Sequence, residues 1–151
     1  MNDDRPGYER GTGFLLARLG SLTARSWTAF LGEHRLTQAQ YGVLVALGQH
    51  GPVGQGRLAE LVAVDARNLV SVLDGLTGRH LVERRPHDTD GRRRVVALTA
   101  EGRALVDGLA AAAATEQDRF LAALPATDRA RLNRLLQRLY AAHLSQPDAG
   151  A

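Results

Sequence analysis

Apolar residues recur along this chain with two periods, and the change of period marks its organisation. From Phe14 the spacing is helical: Leu15, Leu19, Leu22, Ser26 and Phe30 share one face, with Leu16, Thr23 and Trp27 beside it, and the helix is expected to end near Gly32. The preceding stretch 1–13 is polar, carries Pro6 and three glycines, and reads as a flexible arm. A second helix opens at Thr37, where Gln40 three residues on completes a capping box and Leu36 and Tyr41 are spaced for a hydrophobic staple. Tyr41, Leu44, Val45 and Gly48 trace its face, and Gly51-Pro52 ends it. A short helix over 55–62 is expected to bury Leu58, Leu61 and Val62. Ala63-Val64 makes a turn, and Asp65 is a suitable N-cap for the next helix because its carboxylate can accept from a free main-chain N–H. In that helix Leu69, Val72, Leu73 and Leu76 form an i, i+3, i+4, i+7 stripe, with Gly78 near the end.

The period then shortens. Residues 81–85 read as a strand, Asp90-Gly91 as a hairpin turn, and 95–98 as the returning strand. Thr99 caps a long helix over about 100–123, whose middle, 109–114, is almost all alanine and would let another helix approach closely. Pro125 interrupts the chain, and a last helix is expected to start near Thr127, with Leu132, Leu135, Leu136, Leu139, Tyr140 and His143 along one face. Residues 146–151 are expected to fray. The pattern predicts a mainly α fold with one small β-hairpin.

Composition narrows the function. A chain of 151 residues is the length of one domain. Its net charge is only +3, but residues 79–94 hold six arginines against three acids, a surplus as large as that of the whole chain. Positive charge is thus focused on the hairpin. No lysine is present; every fixed cation is arginine. The absence of cysteine excludes disulfides, Cys-based zinc sites and thiol redox sensing. His50, His80, His87 and His143 lack metal-ligand spacing, so no metal or cofactor is expected. No phosphate loop, nucleophile elbow or HExxH is found, which argues against an enzyme. No apolar run reaches the length of a membrane span and the first residues are polar, so a cytoplasmic protein without a membrane partner is expected.

The order short helix, tight turn, capped helix, basic hairpin is that of a winged helix-turn-helix, whose second helix enters the major groove of double-stranded DNA. Opposite the apolar stripe lie Arg67, Ser71, Asp74 and Gly78, with Asn68 beside Arg67. Arginine and asparagine are the side chains that read guanine and adenine edges. Arg92, Arg93 and Arg94 at the hairpin suit a narrow, electronegative minor groove. Asp90 is expected to shape the hairpin through a salt bridge to Arg92.

The chain resembles the MarR family of bacterial regulators. The resemblance rests on Leu36-Thr37-Gln38-Ala39-Gln40-Tyr41-Gly42-Val43-Leu44, Arg57-Leu58-Ala59-Glu60-Leu61, residues 69–76, Leu81-Val82-Glu83-Arg84, and Asp88-Thr89-Asp90-Gly91-Arg92-Arg93-Arg94 leading into Val96-Ala97-Leu98-Thr99-Ala100-Glu101-Gly102. It covers about residues 14–143. One departure is Gly91, where many members carry arginine, which leaves open which of Arg92, Arg93 and Arg94 forms the wing tip. The resemblance implies one MarR-like domain over 14–145: a winged helix-turn-helix over about 36–99 and dimerisation helices over about 14–32 and 100–143. It implies a homodimer on a pseudo-palindromic operator, usually a repressor and often released by a small-molecule effector. Ligands in the family commonly lie between dimer helices and winged domain, where Trp27, Phe30, His34 and Tyr41 could line a crevice. The plainer reading makes Trp27, Phe30 and Tyr41 core residues and His34 a surface turn residue. The alternative function is a DNA-binding or protein-interaction dimer without ligand response.

Overall fold

The computed structural model describes residues 7–145, and the chain divides into two compact units, one up to Ala112 and one from Ala113. The expected tail 146–151 and residues 1–6 of the expected arm lie outside the described residues. Gly7–Arg10 forms a 3-10 turn, and α1 (Thr12–Glu33) starts two residues before Phe14. An edge-to-face contact between Tyr8 and Phe14, at 5.7 Å between ring centroids, holds the turn against the helix.

The expected capping box opens α2 (Gln38–His50): Gln40 N donates to Thr37 Oγ1 at 3.1 Å, and Thr37 N donates to Gln40 Oε1 at 3.0 Å. Gly51, at φ 72°, ends it. Then come α3 (Gln55–Val62), a turn in which Ala63 takes the left-handed conformation at φ 52°, and α4 (Ala66–Gly78). In α3 only Leu58 is buried; Leu61 and Val62 are half-buried, because a helix of two turns presents one narrow stripe inward.

Strands β1 (Val82–Pro86) and β2 (Arg94–Leu98) pair antiparallel, with Val82 opposite Leu98 and Pro86 opposite Arg94. Val53, just before α3, exchanges two main-chain hydrogen bonds with Val96, 3.1 and 2.8 Å, and so adds a one-residue third strand. The core of this unit packs Leu31, Leu44, Leu47, Leu58, Leu69, Leu73, Leu76 and Val96, all at most 2% exposed. Burial of such side chains supplies roughly 1.5–3 kcal/mol each.

The last two helices are α5 (Ala100–Phe120) and α6 (Ala126–Leu144). The end of α5 differs from expectation, whereas α6 begins within one residue of Thr127, as expected. Helix α5 ends three residues early, in turns where Leu121 N reaches Gln117 O and Leu124 N reaches Leu121 O. Pro125 occupies the N-cap of α6, since its fixed φ of −66° suits the entry and a helix start needs no N–H there. In the second unit Arg129 joins the two helical segments: Nε donates to Leu124 O at 2.8 Å and Nη1 to Asp118 Oδ1 at 3.2 Å. Among the described residues no helix is long and apolar enough to cross a membrane.

Candidate nucleic-acid interface

Helix α4 is anchored on one side and exposed on the other. Leu69, Leu73 and Leu76 are buried, Val72 half-buried, while Arg67, Asn68, Ser71, Asp74 and Gly78 are exposed. Asp65 caps the helix twice through one neighbour: Oδ1 accepts from Asn68 N at 2.9 Å and Oδ2 from Asn68 Nδ2 at 2.7 Å. The Asn68 amide is therefore tethered, yet keeps its oxygen and its second N–H, the pair that a bidentate adenine contact needs. Asp74, the one carboxylate in the middle of this face, lies 3.6 Å from Arg84 Nη2 of β1. The pair is too exposed to add much stability, but it offsets a negative charge that would repel phosphate.

The far end of α4 is tied to the end of α1. Arg79 Nη1 donates to Arg35 O at 2.6 Å and Nη2 to His34 O at 3.4 Å. His80 follows in the left-handed conformation at φ 57°, which lets Leu81 N close back on Leu76 O at 3.0 Å. Gly78 remains inside the helix.

The wing loop spans 87–93. His87 N donates to Arg93 O at 2.8 Å and Arg93 N to Asp90 O at 3.0 Å, which closes it. The expected Asp90–Arg92 salt bridge does not form; instead Asp90 Oδ1 accepts the main-chain N–H of Arg92 at 3.2 Å. The short carboxylate reaches the N–H two residues on more readily than the guanidinium beyond it. Arg92 and Arg93 lie in the loop and Arg94 begins β2; all three are exposed, and none has an ion-pair partner among the described residues. Three of the six arginines that the sequence focuses on 79–94 are thus exposed together at the loop and the start of β2.

The structure brings Trp27, Phe30, His34 and Tyr41 together. Trp27 stacks on Phe30 at 5.0 Å and meets Tyr41 edge-on at 5.1 Å, and Phe30 lies 4.7 Å from the half-buried His34 ring. His34 Nδ1 is 2.9 Å from Phe30 O, one turn back on its own helix. Phe30 is core; the other three are half-buried. Tyr41 also lines a cleft of about 330 Å³ between α2 and α5, with Val45, Arg103, Val106 and Asp107.

Sequence reasoning passed over Arg79, His87 and Val70. Arg79 and His87 bond main-chain atoms, which carry no residue-type signature. Val70, 43% exposed on the otherwise polar face of α4, had a signal in its position one residue off the apolar stripe. An exposed methyl pair there suits the methyl group of thymine.

The MarR family model matches residues 36–93, from the cap of α2 to the end of the wing loop. The HTH-type transcriptional repressor NicR of Pseudomonas putida is 32% identical over 107 residues, covering 71% of this chain and 68% of that protein. Among solved structures, a probable transcriptional regulator from Pseudomonas aeruginosa is 36% identical at a TM-score of 0.68, over 87% of this chain and 98% of its own. BpsR of Bordetella bronchiseptica, whose DNA binding is regulated by 6-hydroxynicotinic acid, is 25% identical at a TM-score of 0.67, over 90% and 97%. With a capped, half-buried helix followed by an arginine wing, and with relatives of this kind along most of its length, the chain belongs to the MarR family of winged-helix transcriptional regulators.

Proposed function

We propose that the protein is a homodimeric repressor of a pseudo-palindromic operator, released by a small-molecule effector. Arg67, Asn68 and Ser71 of α4 read base edges in the major groove, and Arg92, Arg93 and Arg94 sit on phosphates and in the adjacent minor groove. The observation that carries this reading is the pairing of an exposed polar face on a well-anchored helix with three exposed arginines, without an ion-pair partner among the described residues, on the hairpin that follows it. Two-fold symmetry then places the half-sites about one helical turn apart.

A second copy of the chain is the partner. Each unit exposes a leucine face: Leu15, Leu16, Leu19 and Leu22 of α1 are 37–46% exposed, and Leu135, Leu136, Leu139 and Leu144 of α6 are 39–68% exposed. Apolar surface of that extent is the mark of an interface. The effector is assigned to the aromatic cluster Trp27, Phe30, His34 and Tyr41 with the adjoining cleft, whose volume suits one small ring compound. The regulation of BpsR by 6-hydroxynicotinic acid supports an effector of this size.

Fluorescence anisotropy on DNA from immediately upstream of the gene tests the reading, with a scrambled duplex as competitor. Arg67→Ala is expected to cost about 1–3 kcal/mol on the cognate site and to relax base preference. Full discrimination by that variant would show that this helix face is not the reading face. Replacing Arg92 and Arg93 by alanine should lower the slope of log K against log salt by about two for each protomer, about four for the dimer, close to one counterion for each phosphate that an arginine no longer neutralises. An unchanged slope would remove the wing from the interface.

A further inference from the structure

The wing loop is folded around one imidazole. His87 Nδ1 lies 3.2 Å from Thr89 N, 3.3 Å from Asp90 N and 3.1 Å from Thr89 Oγ1. A main-chain N–H can only donate, so Nδ1 is the unprotonated nitrogen and the ring proton sits on Nε2. The ring thereby does what an Asn or Asp oxygen does in a side-chain-to-backbone turn, collecting the N–H groups two and three residues on. The rest of the loop is built on that bond. Once Asp90 is placed, its carboxylate takes Arg92 N and its carbonyl takes Arg93 N, and Arg93 O accepts from His87 N.

We propose that His87 is a positioning residue for DNA binding: its neutral ring folds the loop 87–93 and so presents Arg92 and Arg93 in one geometry, and protonation of Nδ1 undoes this. The proposal rests on the reading that the wing touches DNA. A protonated Nδ1 can donate to Thr89 Oγ1, but it turns a third donor toward the N–H groups of Thr89 and Asp90, and the loop loses the acceptor that places Asp90. A loop with Gly91 at its tip then becomes a broad ensemble, and ordering its arginines on DNA weakens the complex. The charged residues next to His87 along the chain and the hairpin are Asp88 and Asp90 in the loop, Arg85 on β1, and Arg92, Arg93 and Arg94 on the returning side. Phosphates of bound DNA favour a charged ring. Acidification therefore sets loop order against electrostatic attraction, and the sign of the affinity change separates a positioning imidazole from a plain cationic contact.

The test uses the full chain and a labelled duplex of about 30 base pairs, selected by the full chain from a random pool, at about pH 8 and at about pH 6 and at constant ionic strength. At about pH 8, His87→Ala should bind about fivefold more weakly, the equivalent of one net hydrogen bond. His87→Asn puts an oxygen where Nδ1 stands and should keep wild-type affinity. On acidification the wild type should weaken relative to His87→Asn, and long-range proton–nitrogen NMR at about pH 8 should show the proton on Nε2. Far-UV circular dichroism confirms that each variant is folded. If Arg92→Ala/Arg93→Ala binds weakly while His87→Ala binds as wild type, the wing contact stands and the positioning role is overturned. Tighter wild-type binding on acidification relative to His87→Asn also overturns it. If the double arginine variant binds as wild type, the wing reading fails and this proposal with it.

Discussion

Gly102 sits where no side chain fits. A Cβ there would overlap the carbonyl oxygen of Leu81, because the first turn of α5 lies directly on the main chain that links α4 to β1. Thr99 holds this junction: its N donates to Leu81 O at 3.1 Å, its Oγ1 donates to His80 O at 2.6 Å, and the same oxygen accepts from Gly102 N at 3.0 Å. The Leu-Thr-x-x-Gly run is thus a splice between wing and helix. Gly102→Ala should destabilise by about 3 kcal/mol, since the obstacle is main chain and cannot swing away. Urea unfolding checks this, and a loss under about 1 kcal/mol would mean that α5 shifts freely. The motif was legible in the sequence, but its reason was not, for the group that excludes a side chain is a carbonyl any residue could supply. The left-handed position after α4 is hidden in the sequence for a related reason. Gly78 lies near the expected end, yet it is His80 that takes φ 57° and closes the helix through Leu81 N to Leu76 O, while its carbonyl accepts from Thr99 Oγ1.

At the scale of the element, the question is what holds α4, the helix proposed to read DNA, in place. Its start is held by Asp65 and its end by Arg79, which anchors it to the last turn of α1 beside His34. Asp65→Ala removes the cap and should cost about 1 kcal/mol of stability. It also frees the Asn68 amide, so its loss in DNA affinity should exceed that of a remote variant of equal thermal stability. Melting and anisotropy measured together decide the point; affinity that merely tracks stability would confine Asp65 to the fold. Both the Thr37 and the Asp65 caps were legible, since each bond spans three residues and the residue types are diagnostic. Arg79 was not, because its acceptors lie 44 and 45 residues away and are main-chain oxygens. This bond joins the aromatic cluster, through His34, to the helix proposed to read DNA.

For the whole molecule, the exposed leucines of α1 and α6 decide the outcome. If a second copy covers them, Leu19→Glu with Leu139→Glu should convert a dimer to a monomer in sedimentation equilibrium and abolish tight operator binding, since two half-sites are then no longer held together. A wild-type chain that sediments as a monomer would refute the homodimer. The sequence by itself determined the order and kind of the elements, the caps of α2 and α4, the apolar stripe of α4 and the focus of positive charge on the hairpin. All of these follow from periodicity, from residue types with local bonding habits, and from bonds that close within four residues. Tertiary structure alone decided that Val53 joins the wing, that Arg79 ties α4 to α1, that Asp90 bonds main chain rather than Arg92, and that Trp27, Phe30, His34 and Tyr41 form one cluster. The long-range bonds join groups distant in the sequence, and many of the acceptors are main-chain oxygens that every residue carries. Only the packing of the buried leucines brings them within reach.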